Sequence, residues 1–150
     1  MIDKKLVFSD AQSIVANATT VNSENDIDLG ALTDDRGVAL KQFGPESGKI
    51  NLVVSVADQP TAGTGIAVAL HDCATDGGTF KPTGIGVAAA IPNATLVVGY
   101  TMLNVALKPD VMRVLRIVYT TTGNHTGSAG KINAGLVFGA MSEDVTPYRA

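Results

Sequence analysis

Reactive chemistry in this 150-residue chain has few places to come from, because His71, His125 and Cys73 are its only histidines and its only cysteine. His71 and Cys73 lie two apart, so on a strand their side chains share a face and could begin a metal site. Two ligands leave a tetrahedral zinc site half built, and the plain expectation is a strand end. His125 sits among Gly123, Asn124, Thr126 and Gly127 and is expected at a solvated turn. Asp26, Asp28, Asp34 and Asp35 offer hard oxygens for calcium. The spacing fails, since a loop counted from Asp26 puts Gly37 where the bidentate glutamate belongs, and Asp35, Arg36 and Gly37 read as a turn. A calcium site would have to be assembled from distant loops.

Nucleophilic and cofactor chemistry are equally unsupported. There is no Gly-x-Ser-x-Gly elbow, and Gly63 and Gly65 do not extend to a dinucleotide fingerprint because Val68 stands at the third glycine position. With no Trp, 3 Tyr and 4 Phe, few rings remain for a sugar platform once a core is filled. Arg113 and Arg116 fall on opposite faces of a strand, so one of them is expected to reach a partner or a loop carboxylate. No catalytic, cofactor-binding or metal-binding residue is assigned.

The elements that must carry these side chains are strands. The chain has 17 Val, 9 Ile and 15 Thr, with 16 Gly, and β-branched runs recur between Gly, Asn, Asp and Pro clusters. Ile50, Leu52, Val54 and Val56 alternate with more polar residues, as do Ile66, Val68 and Leu70 after the Gly63/Gly65 turn, and the two runs are expected to pair as a hairpin-like unit. Phe80 to Asn93, rich in Gly, Pro and Ala, reads as a surface loop with one or two short strands. Leu96–Val98 and Met102–Leu107 are further candidates. Met112–Tyr119 and Ile132–Phe138 close the domain as an antiparallel pair. Residues 1–30 read as an extended N-terminal arm. The capping-box spacing of Ser9 and Gln12 competes locally, but fewer than three helical turns rarely hold alone. The expected fold is all-β, an antiparallel sandwich of jelly-roll type over residues 31–150, with the arm ordering on a neighbour.

Composition excludes several roles. At 45% apolar and 17% charged residues the chain suits one compact domain, which needs neither disulfide nor metal to hold a core. Eleven Lys and Arg against fourteen Asp and Glu leave a net charge of -3, the wrong sign for a nucleic-acid or anionic-membrane surface. The stretch from Thr95 to Leu107 is too short and too polar to span a membrane, and no secretory leader is read at the N-terminus. The sequons at Asn17, Asn93 and Asn124 are therefore expected to be chance matches in a Thr-rich chain.

One pattern runs through most of the chain: Phe8-Ser9-Asp10-Ala11-Gln12 at the start, Ile27-Asp28-Leu29-Gly30 closing the arm, Arg113 to Tyr119, and Gly130 to Val137. In these segments the sequence resembles the jelly-roll capsid cement, or decoration, proteins of tailed bacteriophages. Val114 stands where that pattern more usually has an aromatic residue, and Asn22 to Asp26 is longer. The resemblance implies a non-enzymatic virion protein, made in the bacterial host cytoplasm. It would bind the outer capsid surface, stabilise contacts between neighbouring major capsid protein subunits, and self-associate as a homodimer or homotrimer. The rival expectation is a β-sandwich binding module of the virion that recognises a receptor or carbohydrate.

Overall fold

In a computed structural model, residues 6–30, 50–108 and 110–138 are described. They form nine strands and no helix: β1 (Val7–Ser13), β2 (Thr20–Asn22), β3 (Ile27–Asp28), β4 (Ile50–Asp58), β5 (Gly65–Cys73), β6 (Lys81–Pro92), β7 (Thr101–Ala106), β8 (Val114–Thr122) and β9 (Lys131–Phe138). One sheet runs β1-β9-β4-β7. The other runs β2-β8-β5-β6, with β3 also on β8. Every pairing is antiparallel. The expected all-β sandwich is therefore observed.

Alternation explains why the central strands form, most plainly in β4. In β4, Ile50, Leu52, Val54 and Val56 are buried while Asn51, Val53, Ser55 and Ala57 are half exposed. Against them, Ile66, Val68 and Leu70 of β5 and Leu115, Ile117 and Tyr119 of β8 supply the opposite wall of the core. Burying such side chains contributes about 1.5–3 kcal/mol each, so a one-residue slip, which would turn the whole set outward, is strongly opposed.

The partners of these strands differ from the sequence expectation. β4 and β5 do not form a hairpin: β4 lies between β9 and β7, and β5 between β8 and β6. Residues 59–64 instead carry the chain from one sheet to the other, turning at Gly63 with φ +78°. Likewise β8 and β9 are not a pair but belong to opposite sheets. Leu96–Val98 forms no strand but joins two turns, with Leu96 fully buried, and the segment expected to loop, Phe80 to Asn93, contains the longest of the described strands. Its glycines mark irregularities rather than a loop. The β5–β6 register slips between Ala69 and His71, opposite Gly84 and Gly86, both at positive φ.

Residues 7–28, expected as an arm, are built into both sheets. β1 pairs with β9, and β2 and β3 pair with β8. Phe8, Ile14 and Leu29 are 0% exposed. The segment crosses between sheets and kinks twice, at Ala11 (φ 47°) and Ala18 (φ 46°), so its buried residues follow no single repeat. A short side-chain network secures it. Tyr119 Oη donates to Ser9 Oγ at 2.8 Å, Ser9 Oγ to Gln12 Oε1 at 2.6 Å, and Gln12 Nε2 to Asn22 O at 2.8 Å. Burial pushes the Tyr119 phenol well above its ordinary pKa, so it serves only as a neutral donor.

Candidate interaction surface

The residues singled out for chemistry are engaged in structural roles. His71 and Cys73 do share a face of β5, yet Cys73 is buried and its thiol donates to Thr75 O at 2.6 Å. His71 lies opposite Arg116 of β8, and partial burial, followed by the charge of Arg116, holds its imidazole below the ordinary 6.5 against the opposing pull of Asp72. His125 is not solvated: it is 0% exposed. Its Nε2 lies 3.1 Å from Gly65 O and 3.2 Å from Thr122 O, two acceptors, so that nitrogen carries the proton and donates. The ring fills the space a Cβ at Gly63 would occupy, which is why glycine stands there. His125 therefore plugs the junction between the β4–β5 and β8–β9 connections. The sequon asparagine Asn93 is bound into the same junction, its Nδ2 donating to Ala62 O and Gly63 O at 2.8 and 3.0 Å.

Two of the four carboxylates considered for calcium are engaged by arginines. Asp26 receives both Nε and Nη2 of Arg116, at 2.8 and 2.7 Å, and Asp28 receives both from Arg113, at 2.7 Å each. Asp34 and Asp35 lie outside the described residues. Both arginines thus found carboxylates, where one was expected to: Asp26 lies in the connection before β3 and Asp28 on β3 itself. Arg113 precedes β8 and is free of the strand's alternation. The Asp28 and Asp26 carboxylates raise the pKa of Arg113 and Arg116 above the ordinary value, through hydrogen bonding first. Arg116 also stacks on Phe80, 3.9 Å from its ring centroid. Among the described residues no three His, Cys, Asp or Glu side chains gather as a metal site, and no helix is long and apolar enough to cross a membrane.

What remains is surface. On the β5–β8 sheet the outward side carries His71, Arg116 and the paired aspartates. The β9–β4–β7 sheet presents a different one. The register places Asn51, Val53 and Ser55 of β4 beside Asn104 and Ala106 of β7 and beside Asn133, Gly135 and Val137 of β9. These residues point away from the buried set, and none is charged. Lys131 and Asp58, 3.5 Å apart, bound this patch at one end. Asn51 Nδ2 donates to Asn104 Oδ1 at 3.2 Å across it. An uncharged surface of mostly small side chains offers packing and hydrogen bonds to a protein partner, with little charge to desolvate. No sequence motif marks it; the signal was the outward half of each strand, which mixes Asn and Ser with Val, Ala and Gly and carries no charge.

A family model described as Bbp16 matches residues 8–136. No curated protein matches the chain.

Proposed function

The chain belongs to the Bbp16 family, and from that premise we propose that it is a capsid cement protein: a non-enzymatic jelly-roll subunit that binds the outside of an assembled phage shell and clamps neighbouring major capsid protein subunits. The carrying observation is the uncharged outer surface of β9, β4 and β7 on a domain whose buried polar groups are structural. Such a surface suits extended contact with a flat protein lattice better than capture of a small molecule. The strand order supports the jelly-roll reading, because the chain crosses repeatedly between β1-β9-β4-β7 and β2-β8-β5-β6, with only β2–β3 and β5–β6 as successive strands of one sheet. With a net charge of -3 and a patch without ionic side chains, attachment depends on packing, so moderate salt leaves it intact. Several shallow contacts per oligomer act together through high effective concentration.

The test is co-sedimentation with capsids of the matching phage stripped of this protein, at low and raised ionic strength. Stoichiometric binding that persists in salt is expected, and a Val53→Arg, Ser55→Arg variant that keeps its urea melt should lose it. Failure of the folded wild-type protein to sediment, or binding indifferent to that double change, would refute the reading. Capture of a glycan in its place would favour a receptor-binding module.

A further inference from the structure

An open sheet edge is a ready template for another strand, and natural sandwiches obstruct their edges. Among the described residues, three of the four sheet edges are obstructed. The β1 edge is covered by the crossing chain: Asn25 N donates to Phe8 O at 2.9 Å, Asp10 N to Glu24 Oε2 at 3.4 Å, and Ala11 kinks the strand. The second edge is broken into β2 and β3, three and two residues long. The β6 edge carries Pro82 and Pro92 and the irregularities at Gly84 and Gly86. β7 has none of these: Thr101–Ala106 contains no proline, no charge and no positive φ, and its one register shift lies at its start.

The phase of the β4–β7 ladder shows which groups are open. Leu107 N donates to Ile50 O at 2.9 Å, and Leu52 lies opposite Val105 and Val54 opposite Leu103. In an antiparallel pair these alternate residues spend their backbone groups on the neighbour, so the N–H and C=O of Asn104 and Ala106 point away from β4. No described strand pairs with them. On the core side of the same edge, Leu103 and Val105 pack on the core while remaining partly exposed. A fitting partner strand therefore brings apolar side chains to the core side, small uncharged ones to the outer side, and backbone groups at every second residue.

β7 itself meets that description, and we infer that two copies of this chain join edge to edge through antiparallel β7 strands about a twofold axis at Val105. In that register Asn104 of each copy faces Ala106 of the other and exchanges both backbone bonds, about four in all. Val105 meets its twin, and Leu103 meets Leu107, covering the half-exposed core side chains. The two four-stranded sheets become one of eight, with the two uncharged outer surfaces side by side. This deepens the cement reading by locating the self-association it requires.

Sedimentation equilibrium of the full chain should show a dimer. Asn104→Pro removes an N–H that β4 does not use, so it should yield a monomer with a cooperative urea melt; Ala106→Lys, which adds like charges at the seam, should do the same if the proline variant does not fold. Val105→Cys should give a disulfide-linked dimer under mild oxidation, since opposed residues of a non-hydrogen-bonded pair sit within disulfide reach. Asn133→Cys, on β9 and separated from that edge by β4, should not. A monomeric wild type, a folded Asn104→Pro or Ala106→Lys dimer, or a Val105→Cys protein that never crosslinks would overturn the inference. Capsid binding is read separately: an intact dimer that never binds shells sinks the cement reading and leaves this edge standing.

Discussion

Truncating Phe8 to alanine tests whether the N-terminal segment is part of the fold or an appendage to it. Phe8 is 0% exposed and sits in the core on β1, the outermost strand of its sheet. A buried aromatic ring withdraws about 150–250 Å² from water, and losing it while leaving a cavity costs about 3–5 kcal/mol. Against a total stability of about 5–15 kcal/mol, that is a large fraction, and it corresponds to a fall in Tm of about 6–20 °C for a domain of this size. Val15 is the internal control: it is 52% exposed, so Val15→Ala should change stability by less than about 0.5 kcal/mol. Urea unfolding followed by far-ultraviolet circular dichroism, fitted for both midpoint and slope, separates lost stability from a change in the surface exposed. A Phe8→Ala loss below about 1 kcal/mol, indistinguishable from Val15→Ala, would refute the placement of β1 in the sandwich and restore the arm.

Three further outcomes follow from the same geometry. Tyr119→Phe deletes the hydroxyl that donates to Ser9 Oγ and should cost about 1–2 kcal/mol by urea melt; an unchanged midpoint would show that the Ser9–Gln12–Tyr119 network adds nothing. Gly63→Ala places a methyl into the His125 ring at φ +78° and should cost about 2–4 kcal/mol, whereas Gly77→Ala, with φ +76° but open space around it, should lose only the backbone part, about 1–2 kcal/mol; equal losses would contradict the plug. His71 is held below 6.5, so the unfolded chain binds more protons there and stability should fall as the pH drops through and below 6.5; His71→Gln should flatten that part of the stability–pH curve, and an unchanged slope between pH 7 and 5 would show that His71 does not contribute.

The sequence alone determined the material of this fold. Val, Ile and Leu recurring at period two in Ile50–Val56, Met112–Tyr119 and Ile132–Phe138 mark strands with an apolar side for the core, because alternation is a local property that each strand carries by itself. The scarcity of reactive side chains was legible in the same way, from counts. Tertiary structure decided which strands meet: β4 with β9 and β7, not with β5, and β8 with β5, not with β9. Every inward side of these strands is apolar, so alternation cannot distinguish a neighbour in the sheet from one across the core. It also decided the roles of isolated polar residues. His125 looks like a turn residue until two connections from different sheets close over it, and Asp26 and Asp28 look like cation ligands until Arg116 and Arg113, some ninety residues later, are brought against them. The glycines of β6 read as a loop because sequence records the freedom of a backbone position and not its use; only Val68 and Ala69 against Gly86 show that the freedom served a strand irregularity. The outer surface of β9, β4 and β7 has the same origin, since its residues come from three separate stretches of chain and become one surface only when long-range register sets them side by side.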